Sequence, residues 1–80
     1  MKLLIFVTED AQADSTVDAL VEQGLRVTRL ATTGGFLRRG NTTLLVGIED
    51  NQVERTIGLV KKSAPGALAL SMDLERYERL

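Results

Sequence analysis

Apolar residues are arranged along this chain either in short unbroken runs or at helical spacing. Residues 3–7 read LLIFV, and an unbroken run with branched and aromatic side chains predicts a strand that is buried on both faces. Apolar side chains then recur at helical spacing as far as Gly24, which predicts a first helix with Asp10 as its N-cap and the glycine as its end. The apolar residues of this helix are Ala13, Val17, Leu20 and Val21.

Two more strands are predicted on either side of a glycine-rich segment. In residues 25–33, Leu25 and Val27 share one face, and the alternate side chains point to the other face. Residues 43–48 alternate in the same way, with apolar side chains at every second position of one face. The segment between these strands contains GGFLRRGN, residues 34–41, and its glycines favour turns.

The second half of the sequence repeats the pattern of the first half. The run LLVGIED at residues 44–50 is similar to LLIFVTED at residues 3–10 but is one residue shorter. A second helix is predicted after it, with Asn51 and Glu54 as a capping box and the APG sequence of residues 64–66 as its end. Each half is therefore predicted to be built around a β-α-β unit.

A fourth strand and a charged tail complete the chain. Residues 67–72 are predicted to form the strand, and residues 73–80 to form one or two helical turns. The order β-α-β-β-α-β predicts a single α+β domain over residues 1–80, a ferredoxin-like sandwich with two helices on one face of an antiparallel sheet. Because the first strand is apolar on both faces, the face without helices is predicted to be apolar and to join subunits into a symmetric homo-oligomer.

Composition restricts the function more than the fold. The 80 residues carry 10 basic and 11 acidic side chains, and a net charge of −1 argues against binding to nucleic acid or to acidic membranes. The sequence has no cysteine and no histidine, so it forms no disulfide and lacks two of the side chains most used in catalysis. Because neither a secretory signal nor a long apolar segment is evident, we expect a cytoplasmic protein. Because histidine and cysteine are absent, we expect no enzymatic activity.

The residue types of the glycine-rich segment leave three interpretations open: a turn, an anion site and a partner surface. Consecutive amides at Gly34 and Gly35 can form an anion-binding nest, arginine pairs with phosphate, and Phe36 offers a stacking face. An ordinary solvated turn is equally compatible with these residues. A P-loop is not indicated, because Asn41 stands where the lysine of that motif would be and a strand is predicted to follow.

The exact sequence of this segment resembles a known family. LATTGGFL at residues 30–37 and GNTT at residues 40–43 are similar to the PII-like cyclic-di-AMP receptor family, and the similarity extends from about Met1 to Val60. The run DLERY at residues 73–77 resembles the C-terminal end of that family. The resemblance implies a bacterial signal-transduction protein, a ferredoxin-like homotrimer that binds cyclic-di-AMP or a related nucleotide in clefts between its subunits without catalysis.

The same resemblance implies which residues contact the ligand. Backbone amides near Gly35 and Leu37 would meet phosphate, and Phe36 would contribute apolar cover for the base. The resemblance implies no metal and no further cofactor. It does not indicate which protein partner responds to the ligand-bound form. The implied ligand contacts are Arg26, Thr28, Gly35, Phe36, Leu37, Asn41 and Gly47.

Three features depart from the family pattern. Gly24 stands where the family has an asparagine, Arg79 stands where it has a glutamine, and residues 63–66 replace a long glycine-rich loop before the last strand. These departures favour an alternative hypothesis, a trimeric scaffold or protein-interaction module that has lost the ligand. An enzyme or a nucleic-acid binder is a third hypothesis, which the near-neutral charge and the absence of histidine and cysteine disfavour.

Overall fold

The computed structural model describes residues 1–30 and 40–80 of the chain. The four strands form one sheet in the order β2-β3-β1-β4, and every neighbouring pair is antiparallel. This confirms the predicted α+β, ferredoxin-like arrangement. In chain order the elements are β1 (Lys2–Glu9), α1 (Asp10–Glu22), β2 (Val27–Leu30), β3 (Asn41–Ile48), a short 3-10 helix (Asp50–Gln52), α2 (Val53–Ser63) and β4 (Leu68–Asp73).

The hydrophobic core lies between the two helices and one face of the sheet. Phe6 at the centre of β1 is fully buried and stands opposite Leu44 of β3. Burial of a side chain of this size contributes roughly 1.5–3 kcal/mol to the free energy of unfolding, so this face of the sheet holds the two helices. The core residues are Leu4, Phe6, Leu20, Leu44, Val46, Ile48, Val60 and Ala64.

The opposite face of the sheet is also apolar. In the pairing of β1 with β4, Ile5 stands opposite Leu70, and directly opposed residues point to the same side of a sheet. The β4 side chains on this side are about half exposed, from 48% for Leu70 to 55% for Leu68. We call this surface the open face; its residues are Leu3, Ile5, Val7, Leu45, Leu68, Leu70 and Met72. A contiguous apolar surface of this kind is typical of an interface.

The first helix begins differently from the prediction. Glu9 is the N-cap of α1, and Asp10 is the first helical residue, so the prediction of an Asp10 cap is wrong. The Asp10 carboxylate instead accepts a hydrogen bond of 2.5 Å from the hydroxyl of Thr42 on β3. The Asp10 backbone N–H donates to the Gly40 carbonyl at 2.8 Å. Asp10 therefore ties the start of α1 to the start of β3.

The second helix also begins without the predicted capping box. Residues Asp50–Gln52 form a 3-10 turn, α2 starts only at Val53, and its N-cap makes no side-chain hydrogen bond. The Asp50 carboxylate lies 3.0 Å from the amino group of Met1, and this ion pair joins the turn to the beginning of β1. Lys61 and Lys62 lie in the last turn of α2, where the helix dipole favours positive charge.

The tail after β4 is not helical, contrary to the prediction. Seven residues are too few to form a stable helix without an apolar face that packs on the domain. The tail is instead fixed at its start, where the Leu74 N–H donates to the Met1 carbonyl at 3.0 Å. Next to it, the Lys2 ammonium donates to the Asp73 carboxylate, which raises the pKa of Lys2 and lowers the pKa of Asp73. The pair is solvent-exposed, so its main effect is to align the ends of β1 and β4.

Strand boundaries differ from the predictions by one or two residues. The strand predicted from residue 25 begins at Val27, and the strand predicted from residue 43 begins at Asn41. The last strand is shifted by one residue at each end, to Leu68–Asp73. Because β3 follows Gly40 directly, no helix begins at the position that a P-loop would require.

Candidate ligand-binding cleft

A cleft of about 410 Å³ opens at one end of the open face. It brings together three of the predicted ligand contacts, Arg26, Thr28 and Gly47. We call it the Arg26 cleft; its lining residues are Met1, Leu3, Gly24, Leu25, Arg26, Thr28, Leu45, Gly47 and Tyr77. The cleft therefore combines a mostly apolar floor with one cation and one hydroxyl, a composition typical of small-molecule sites.

Strand pairing places these side chains together. In the antiparallel register of β2 and β3, Thr28 stands opposite Leu45, and extending that register by two residues places Arg26 opposite Gly47. On the other side of β3, Gly47 stands opposite Leu3 of β1. The alternation of side chains in a strand then directs Arg26 and Thr28 to the same face, which is the open face.

Arg26 is the electrostatic centre of the cleft. Its side chain is exposed, and no carboxylate within residues 1–30 and 40–80 lies within ion-pair distance of its guanidinium. Arg29, on the same strand but on the helix face, is instead bound to the Asp14 carboxylate at 2.5 Å. The Arg26 guanidinium is thus available to an anionic ligand, and the arrangement of its N–H groups suits the oxygens of a phosphate.

Gly47 lies on the floor of the cleft, beside Tyr77 and Met1. A Cβ atom added to Gly47 would lie 3.8 Å from Cε2 of Tyr77 and 4.0 Å from Cε of Met1, which are ordinary van der Waals distances. These two side chains therefore border the cleft at Gly47.

Gly24 lines the cleft at the end of α1. Its φ of +79° lies in the left-handed region, which glycine adopts without strain and asparagine adopts more readily than other residues. No atom of the described residues lies within 4 Å of a Cβ built at this position. The backbone and the surrounding space therefore both accept the asparagine that the family pattern has here.

Asn41 lies at the far end of β3 from the Arg26 cleft. It stands opposite Glu9 of β1, whereas Gly47 stands opposite Leu3, so Asn41 and Gly47 are six positions apart along an extended strand. That separation is about 20 Å. Asn41 lines a different pocket, of about 350 Å³, together with Glu9, Gln12 and the Pro65–Gly66 turn. Within one chain, the structure does not bring Asn41 to Arg26.

The other predicted contacts and the family departures are placed as follows. Gly35, Phe36 and Leu37 lie outside the described residues, as do Arg38 and Arg39. Arg79 is not among the cleft residues, whereas Tyr77 of the same tail is. Sequence reasoning did not find Tyr77 as a site residue; the available signal was a single tyrosine within an otherwise charged segment.

Two other functional features are absent from the described residues. In residues 1–30 and 40–80, no cluster of three or more acidic side chains is placed to hold a metal ion. No helix in that same part of the chain has both the length and the apolar character to cross a membrane.

The antiparallel sheet, with both helices on one face and an arginine-bearing cleft on the other, defines a ferredoxin-like domain with a candidate site for an anion. The chain belongs to the cyclic-di-AMP receptor family, whose family model matches residues 1–73. This confirms the resemblance that the glycine-rich segment carried.

A solved structure shares the whole fold. A functionally unknown protein from Pediococcus pentosaceus ATCC 25745 is similar to this chain with a TM-score of 0.85 and 33% sequence identity. The similarity covers 99% of this chain and 96% of that chain.

Proposed function

We propose that the protein is a PII-like signal-transduction protein that binds cyclic-di-AMP or a related nucleotide in clefts between the subunits of a homotrimer. The observation that carries the proposal is the guanidinium of Arg26, which has no carboxylate partner among residues 1–30 and 40–80, beside Thr28 and Gly47 in a chain of the cyclic-di-AMP receptor family. We place this function in the bacterial cytoplasm and assign it no catalytic step.

The cleft offers a matching partner for each part of a nucleotide. The Arg26 guanidinium and the Thr28 hydroxyl donate to phosphate oxygens, and these charge-assisted bonds are stronger than neutral ones. The base lies on the apolar part of the cleft, beside Leu3 and Leu45. Gly35, Phe36 and Leu37 complete the proposed set of contacts.

The separation of Asn41 from Arg26 supports a site that two subunits share. Each chain has Arg26, Thr28 and Gly47 at one end of the sheet and Asn41 at the other, about 20 Å away along β3. Joining subunits through their open faces would bury exposed apolar side chains such as Leu70 and Met72. We propose that in this assembly Asn41 of one subunit faces the Arg26 cleft of the next.

Calorimetric titration of the purified protein with cyclic-di-AMP tests the proposal. We expect saturable binding with one ligand per subunit, and weaker or no binding of ATP and cyclic-di-GMP. Absence of heat with all three nucleotides would contradict nucleotide binding and favour the alternative, a ligand-free trimeric scaffold or protein-interaction module. That alternative is supported by the missing side chain at Gly24 and by the connection of only four residues between α2 and β4, residues 64–67.

Replacing Gly24 by asparagine further distinguishes a cyclic-di-AMP receptor from a ligand-free scaffold. If the cleft binds cyclic-di-AMP, the new amide adds one hydrogen bond, and we expect the Kd to fall by about 2- to 10-fold. Gly24→Ala is the control, because it adds a Cβ at φ +79°, with more backbone strain than asparagine, but adds no donor. Equal affinities of the two variants would show that position 24 makes no contact with the ligand.

A further inference from the structure

Tyr77 forms one wall of the Arg26 cleft. Its ring carbon Cε2 lies 3.8 Å from the point where a Cβ of Gly47 would stand, so the edge of the ring lies beside the backbone of β3. The side chain is nevertheless 68% exposed, so most of the ring has no neighbour among residues 1–30 and 40–80. The hydrogen bond from the Leu74 N–H to the Met1 carbonyl holds the start of the tail beside the cleft.

The polar groups of the cleft do not by themselves distinguish a nucleotide from another anion. Arg26 and Thr28 recognise phosphate oxygens, which occur in many metabolites. Selection of a nucleotide requires a flat surface that the base can contact. Within the described part of the chain, Tyr77 is the only aromatic side chain that lines the cleft, since Phe6 is buried in the core.

We propose that Tyr77 stacks on a nucleobase of the bound ligand and makes the cleft selective for base-containing phosphates. This inference rests on the proposed function of the cleft. The base lies against the exposed side of the Tyr77 ring, while the phosphate reaches Arg26, which directly precedes β2. An exposed aromatic ring is covered in the process, and stacking of a base on an aromatic side chain makes a substantial contribution to binding without requiring one particular base.

Substitution of Tyr77 tests the stacking role by calorimetry with cyclic-di-AMP as the probe. We expect Tyr77→Ala to raise the Kd by about tenfold and Tyr77→Phe, which keeps the ring, to change it by less than about twofold. Leu80→Ala is the matched control, because it removes a fully exposed apolar side chain from the same tail. A tenfold loss in Tyr77→Phe would overturn the inference, since the hydroxyl and not the ring would then be the contact.

Tyrosine fluorescence provides a second readout that a purely structural role would not change. The sequence has one tyrosine and no tryptophan, so the intrinsic emission of the protein comes from Tyr77. We expect cyclic-di-AMP to quench this emission with the same Kd as calorimetry, after correction by a parallel titration of N-acetyl-tyrosinamide. Unchanged affinity in Tyr77→Ala overturns the stacking role while the proposed function stands. Absence of binding to the wild-type protein overturns both.

Discussion

Replacing Arg26 by alanine is expected to weaken the binding of cyclic-di-AMP by about 10- to 100-fold and to leave the oligomer intact. The guanidinium lies exposed in the cleft without a carboxylate partner among residues 1–30 and 40–80, so its loss removes charge-assisted bonds to the ligand without disturbing the fold. Such bonds contribute roughly 1.5–3 kcal/mol. Calorimetry measures the affinity, and light scattering during size-exclusion chromatography measures the mass.

The same strand offers a matched control for this prediction. Arg29→Ala removes an arginine three residues later, on the helix face, where its partner is Asp14. We expect Arg29→Ala to keep the wild-type Kd, because only the open-face arginine reaches the cleft. If Arg26→Ala also kept the wild-type Kd, Arg26 would have no role in binding and the assignment of the cleft would be wrong.

A mixing experiment determines whether the site is shared between subunits. Arg26→Ala and Asn41→Ala are each expected to bind poorly when pure. In oligomers assembled from both variants, some clefts receive the intact Arg26 of one chain and the intact Asn41 of its neighbour, so binding returns to a fraction of the clefts. If both residues came from the same chain, every cleft of the mixture would carry one of the two defects, and no binding would return.

Replacing Leu70 by lysine is expected to dissociate the proposed trimer into monomers. Leu70 lies in the middle of β4 on the open face, opposite Ile5, and is 48% exposed in the single chain. Symmetry would place the new ammonium at every copy of the interface, and burying an unpaired charge costs several kcal/mol. Light scattering is expected to show the mass falling to one third of the wild-type value, with loss of cyclic-di-AMP binding in the same sample.

The neighbouring residue provides the control for the interface. Ser71 is exposed on the same strand but points to the opposite side of the sheet from Leu70. Ser71→Lys is therefore expected to retain the wild-type mass and affinity. A Leu70→Lys protein that keeps the wild-type mass would contradict the assignment of the open face as the subunit interface.

The fold could be predicted because its determinants are local and repeated. The apolar run at residues 3–7 and its counterpart at residues 44–48 fix two central strands, and the helical stripe between Ala13 and Leu20 fixes a helix. The β-α-β-β-α-β order is that of the ferredoxin-like fold, which places both helices on one face of an antiparallel sheet. The apolar nature of the other face followed from β1 alone, because its residues at odd and even positions are equally apolar.

The helix starts and the tail depended on distant partners and could not be predicted locally. Asp10 has the residue type of an N-cap, but its carboxylate accepts a hydrogen bond from Thr42, which lies 32 residues away in the chain. The charges of the tail are compatible with a helix, but the segment is held at Leu74 by the carbonyl of Met1. These contacts form only after the sheet has paired, so sequence patterns within a window of ten residues do not contain them.

The candidate site was predicted in its composition but not in its arrangement. Arg26, Thr28 and Gly47 meet because of the register between β2, β3 and β1, which a single sequence does not specify. The same register separates Asn41 from them. Tyr77 reaches the cleft through the path of an irregular tail, and such a path has no periodicity that a sequence pattern would reveal.

The pairing of β1 with both β3 and β4 determines how this chain folds. The first strand lies in the interior of the sheet, and its residue Lys2 is paired with Asp73, 71 residues later in the sequence. Contacts between residues so far apart require the closure of long loops, which slows folding relative to a helical bundle of the same length. During synthesis, β1 can pair with β3 first, but one of its edges stays open until β4 has left the ribosome.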